Sequence, residues 1–140
     1  MTIKEIVLET EDRAGELSRI IAHLYENDIN VCAFSAQTDG TRAVLRLVTS
    51  DPDSALSVLS GLNLKTTTAE AIAVAVPDHP GGLNSLLKVL SNTNIPIHHV
   101  YPCLNTEKTA LILNLDEPEK AIRALEENWI KTYDDRLYKL

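Results

Sequence analysis

The feature that most constrains this chain is a repeat. Asp12-Arg13-Ala14-Gly15-Glu16-Leu17 returns as Asp78-His79-Pro80-Gly81-Gly82-Leu83, an offset of 81 − 15 = 66 positions. In both places a β-like apolar run turns through a glycine and a helical pattern begins on a leucine. Leu17, Ile20, Ile21 and Leu24 fall at i, i+3, i+4 and i+7, the spacing of one apolar helix stripe. Leu83, Leu86, Leu87 and Leu90 are the same four positions moved by 66.

The surroundings repeat in the same register. Residues 3–8 read as a strand, and Asn27-Asp28 stops the first helix. Residues 29–36 form the next strand, and Asp39-Gly40 marks a hairpin to residues 43–48. Asp51-Pro52-Asp53 supplies a cap, a proline suited to the first helical position and an early carboxylate. Ala55, Leu56 and Leu59 carry the inner face of that second helix, and Gly61 ends it. In the second half, Asn94-Ile95-Pro96-Ile97 answers Asp28-Ile29-Asn30-Val31 and residues 110–115 answer 44–49. Glu117-Pro118-Glu119 answers Asp51-Pro52-Asp53, while Ala121, Ile122 and Leu125 answer Ala55, Leu56 and Leu59. The reading is an internal duplication of a β-α-β-β-α-β unit, residues 1–69 and 70–140. The fold class is α+β, with two ferredoxin-like units whose antiparallel sheets carry their helices on one face. Residues 66–76 fit either two short strands or one long strand shared by the units.

Composition narrows the function. Hydrophobic residues make up 44% of the chain and charged ones 24%, so the whole should fold. A formal net charge of −7 argues against general binding to nucleic acid or anionic membranes. No segment reads as a signal peptide or a membrane span, which sets a cytoplasmic expectation. Cys32 and Cys103 lack the spacing of a zinc or redox motif and read as small thiols in a reducing compartment. His98 and His99 are consecutive on a strand and point to opposite faces, so no metal site or cofactor is expected. No nucleophile elbow, phosphate loop or metalloprotease helix occurs, so the chain is read as a non-enzyme. Trp129 and Tyr133 are expected to cover the core beside the last strand.

A strand feeding a helix through a glycine suits a small anion, because the first helical N–H groups are unpaired and the helix dipole is positive there. The paired pattern resembles the ACT domain family, small amino-acid-binding modules that regulate metabolic enzymes. The likeness is carried by residues 12–17 with Ile20 and 27–31, and by 78–83 with Leu86 and 94–97, and it covers nearly the whole chain. It implies a stand-alone tandem ACT protein that binds an amino acid; the open sheet edge of each unit adds the expectation of a homodimer. The ligand would sit where the glycine turn meets a neighbouring domain, held by backbone around the glycine and by a polar residue opening the second strand. Asp12, Arg13, Ala14, Gly15, Glu16 and Leu17 are the candidates in the first copy, together with Asn30. Asp78, His79, Gly81, Gly82 and Leu83 are those in the second, where Pro96 stands in place of Asn30. Copy one has Ala14 where the family commonly has proline. The amide of Asn30 makes the first copy the expected better site. Two alternatives stay open: a small enzyme with a cleft between the repeats, and a structural interaction module whose turns hold nothing.

Overall fold

The computed structural model describes residues 1–139. The chain divides into two compact units, one of Lys4–Ala69 and one from Glu70 onward together with Met1–Ile3. The first contains β1 (Ile3–Glu11), α1 (Glu16–Glu26), β2 (Val31–Thr38), β3 (Arg42–Thr49), α2 (Pro52–Ser60) and the start of β4 (Lys65–Ala75). Its strands lie in the order β2-β3-β1-β4. Local chemistry sets each boundary. Asp28 adopts φ 62°, and the N–H of Ile29 reaches back to the Leu24 carbonyl at 3.0 Å, a left-handed stop that ends α1. Asp39 Oδ1 accepts from the N–H groups of Thr41 and Arg42 at 2.8 and 2.7 Å, while Gly40 takes φ 90°, closing the β2–β3 hairpin. Asp51 caps α2 by accepting from the Ser54 N–H at 3.1 Å, with Pro52 first in the helix.

The second unit continues β4 and adds α3 (Gly82–Asn92), β5 (Ile97–Pro102), β6 (Ala110–Leu115), α4 (Pro118–Glu127), β7 (Thr132–Tyr133) and a 3₁₀ turn at Asp135–Lys139. Here β4 lies between β6 and β7, and β5 pairs with β6. The resulting order, β7-β4-β6-β5, is that of the first unit. Residues 66–76 are therefore served by a single long strand of 11 residues, Lys65–Ala75.

The duplication holds in atomic detail. Ile6 opposite Leu47 returns as Ile72 opposite Leu113, and Leu8 opposite Leu45 as Val74 opposite Leu111. Even the irregularity between Val31 and Ala33 returns, between Ile97 and His99. Ile6, Leu8, Ile20, Leu24, Ile29, Leu47, Ala55 and Leu59 sit in the first core. Each of these positions plus 66 sits in the second. Strand residues i and i+2 share a face, so both helices of each unit pack on the face presented by these alternating residues.

Three expectations need correction. The helix stripes are only partly buried: Ile20, Leu24, Leu86 and Leu90 are fully enclosed, whereas Leu17, Leu83 and Leu87 are exposed. Trp129 does not cover the core; it is 96% exposed. Glu117 precedes α4 at φ 51° without capping it, unlike Asp51. Cys32 is buried, and burial pushes its thiol up to about 11.

Substituting aspartate at Ile20 or Leu86 puts an unpaired charge in a fully enclosed site. Each variant should lose several kcal/mol, of the order of roughly 4 or more, by denaturant titration. Leu83→Asp, at a position 48% exposed, should melt near the parent. Near-native melting of Ile20→Asp or Leu86→Asp would contradict the register.

Candidate functional site

The two turns build two pockets on one plan. In the first unit β1 ends at Glu11, and the Asp12 N–H is held by the Thr41 carbonyl at 3.0 Å. Gly15 then takes φ 85° and stands at the helix N-cap with no side chain capping. The Arg19 N–H closes the first helical hydrogen bond on the Gly15 carbonyl at 2.9 Å. The N–H groups of Leu17 and Ser18 precede that bond and so have no intrahelical acceptor. A cavity of about 380 Å³ lies over this turn, lined by residues 11–18 with Thr38 and Ala43.

In the second unit Gly81 takes φ 86°, and Ser85 bonds the Gly81 carbonyl through its N–H at 2.9 Å and its hydroxyl at 3.0 Å. The cavity here is about 780 Å³, lined by residues 76–84 with Leu87 and Thr109. Nine of the ten positions lining the first cavity, moved by 66, line the second; Thr38 is the exception. His79 Nδ1 lies 2.9 Å from the Pro80 carbonyl. A carbonyl only accepts, so Nδ1 carries the proton in that contact and Nε2 is left for another partner.

The pockets differ in charge. Glu16, 4% exposed, accepts hydrogen bonds from Arg13 Nε at 3.0 Å, Arg19 Nε at 3.1 Å and the Thr10 hydroxyl at 3.2 Å. A second Arg19 nitrogen closes on the same carboxylate. Arg19 above all, with Arg13, the Arg19 charge and Thr10 in support, outweighs desolvation and holds the Glu16 carboxyl down at about 2. Position 82, its counterpart, is glycine, and a Cβ there would meet the Pro77 carbonyl oxygen at 1.9 Å. Copy one therefore rests its turn on a charged cluster, and copy two on direct backbone packing.

Of the residues singled out in the sequence, 12–17 line the first cavity and Asp78, His79, Gly81, Gly82 and Leu83 the second. Asn30 is not brought to its turn. The Ser50 N–H bonds the Asn30 carbonyl at 2.9 Å, whereas Glu11 pairs with Arg42. The two places are eight residues apart along β3, or roughly 27 Å at the usual rise. Pro96, the counterpart of Asn30 in the repeat, likewise lies outside the lining of the second cavity. Thr109, Asn84 and Leu87 line the second cavity but were not among the candidate ligand residues. Thr109 could have been found from the strand pairing, because its carbonyl takes the Val76 N–H at 3.0 Å. His98 pairs with Asp116 at 2.9 Å, and neither His98 nor His99 lines either cavity. Among the described residues no group of three or more His, Cys, Asp or Glu could hold a metal ion, and no helix is long and apolar enough to cross a membrane.

A family model described as an ACT domain pair matches residues 1–139. No curated protein gives a significant sequence match. Among solved structures, a protein of Bacteroides thetaiotaomicron superposes with a TM-score of 0.91 at 25% identity, covering 100% of this chain and 98% of its own. The ligand-free regulatory subunit of aspartate kinase from Thermus thermophilus gives 0.66 at 16% identity, covering 89% of this chain and 91% of its own. Aspartokinase III of E. coli in complex with lysine and aspartate gives 0.52 at 17% identity, over 91% of this chain and 31% of its own.

The Glu16 cluster sets a pH dependence. Its folded value near 2 lies below the ordinary 4.5, so its contribution is complete above about pH 4.5 and is lost as pH falls toward 2. Because both arginines remain partly exposed, Glu16→Gln should cost only about 1 kcal/mol at neutral pH. It should also flatten the acid limb of stability between pH 4.5 and 2. A parent and variant with the same acid limb in urea titrations would contradict this role.

Proposed function

The chain belongs to the family of ACT domain pairs, and from that membership we propose that it is a cytoplasmic regulatory protein, not an enzyme, that binds an α-amino acid at its glycine turns. The observation that carries this reading is the cavity over the turn, repeated with nearly all its lining at the offset of the duplication. A feature needed only to turn the chain would have to repeat the glycine; it would not have to repeat an open cavity.

The chemistry of an amino acid fits the second cavity. Its carboxylate suits the N–H groups of Leu83 and Asn84 at the positive start of α3. Its ammonium suits the exposed carboxylate of Asp78. Val76, Pro77, Leu83 and Leu87 leave an apolar wall for its side chain. The first cavity offers the same backbone, but it is half the volume and crowded by Arg13 and Glu16. This shifts the better site from the first copy to the second. The aspartokinase complex with lysine and aspartate supports amino acids as the ligand class. A second copy of this chain is part of the proposal, because β2 and β5 each have a strand on one side only and offer an open edge. Binding would act on a partner enzyme through that assembly.

A thermal-shift screen over the twenty amino acids should find at least one that raises the midpoint, since a ligand bound only by the native state adds RT ln(1 + [L]/Kd). Titrated calorimetrically, Asp78→Ala should stay folded and lose about tenfold in affinity, or roughly 1.4 kcal/mol, while Asp12→Ala binds as the parent does. A flat screen would sink the reading. Equal loss in Asp12→Ala with none in Asp78→Ala would return the site to the first copy.

A further inference from the structure

We propose that Trp129 is the movable wall of the second turn cavity and that this cavity takes an amino acid with an apolar side chain. The inference rests on the reading that the cavity binds an amino acid. It begins from an anomaly in the backbone. Asp28, Asn63, Asn94 and Trp129 follow the four helices in turn, and all take the left-handed conformation, at φ 62°, 56°, 59° and 62°. Asp and Asn adopt it readily because their short polar groups bond locally, whereas a bulky side chain there is an outlier.

The helix stop accounts for the backbone at 129. Its N–H bonds the Glu126 carbonyl at 3.1 Å, and that of Ile130 bonds Leu125 at 2.9 Å. It does not account for an indole, since the counterpart in the repeat is Asn63. Nor does packing, because Trp129 is 96% exposed.

Its position suggests what the indole serves. Ile130 is part of the second core, against which Val76 of the cavity packs. The Ala75 N–H bonds the Lys131 carbonyl at 2.9 Å. Trp129 and Pro77 each lie two residues past that bond, at the same end of β4. In the first unit the counterpart Asn63 lines a cavity together with Glu11, Arg13 and Glu16, and the counterparts of those three, Pro77, His79 and Gly82, line the second turn cavity. The cavity is open, and Val76, Pro77, Pro80, Leu83 and Leu87 give it an apolar side. Rotation of an exposed side chain is fast and needs no backbone change. An indole swung over that side would enclose an apolar group and leave Asp78 to the ammonium.

The chain has one tryptophan, so its indole emission reports this residue alone. Leucine, phenylalanine, aspartate and lysine serve as probes, each followed by calorimetry and by emission. Leucine or phenylalanine should bind with a blue shift, and aspartate and lysine at least tenfold more weakly. Trp129→Ala should lose at least tenfold in affinity, and Trp129→Phe should keep most of it. Trp129→Gly relieves the left-handed backbone, so it should melt no lower than the parent while binding as weakly as the alanine variant. Binding that leaves emission and the Trp129→Ala affinity unchanged would overturn the wall and spare the cavity reading. A preference for aspartate or lysine would overturn the apolar class. Heat from none of the twenty amino acids would take down the cavity reading and this inference with it.

Discussion

A glycine in the left-handed conformation stands where strand meets helix in each unit, at φ 85° for Gly15 and 86° for Gly81. Most L-residues other than Asn and Asp would pay about 1–2 kcal/mol there, although neither glycine has a neighbour within 4 Å of its missing Cβ. The requirement is therefore conformational, and crowding plays no part. That backbone turns the strand sharply into the helix, so the inward residues of α1 and α3 meet the sheet at Ile20 and Leu86. It also starts each helix without a side-chain cap, leaving first-turn N–H groups at the mouth of a cavity. Fold and site thus share one constraint.

Around this fixed backbone the copies have been free to diverge. Glu5, fully buried, pairs with Arg46 at 3.2 Å in the first unit, where the second has Ala71 and Ile112. Exchanging a buried ion pair for apolar residues is often nearly neutral, so such a difference leaves the strand register intact. The same freedom put Glu16 and its arginines under one turn and the bare Gly82 under the other. One cavity became small and charged, and its twin roomy and largely uncharged. A duplicated regulatory module can in this way keep two equivalent frames while asking them to do different work.

The frame was legible because its signals are local or periodic. The offset of 66, the Asp39-Gly40 hairpin, the capping Asp51 and the stops at Asp28 and Asn94 all act over a few residues. What was not legible depends on where elements end in space. Periodicity put Leu17 and Leu83 in the stripe, but it cannot say which stripe positions the folded unit encloses, and these two stay exposed. Asn30 sits next to the turn in a family pattern and at the far end of β3 in the unit. Thr109 enters the cavity through strand pairing, a contact 33 residues from Val76 in sequence. Trp129 looked like core from its type, and only its left-handed backbone and exposure set it apart.

The central claim is that backbone at the second glycine turn holds an amino acid. Backbone amide chemical shifts, followed by NMR as a binding amino acid is titrated in, test it directly. The account predicts the largest and earliest changes at Gly81, Gly82, Leu83, Asn84 and Thr109, with smaller ones at 13–18. Changes concentrated elsewhere, with the amides of 79–84 unmoved at saturation, would contradict it.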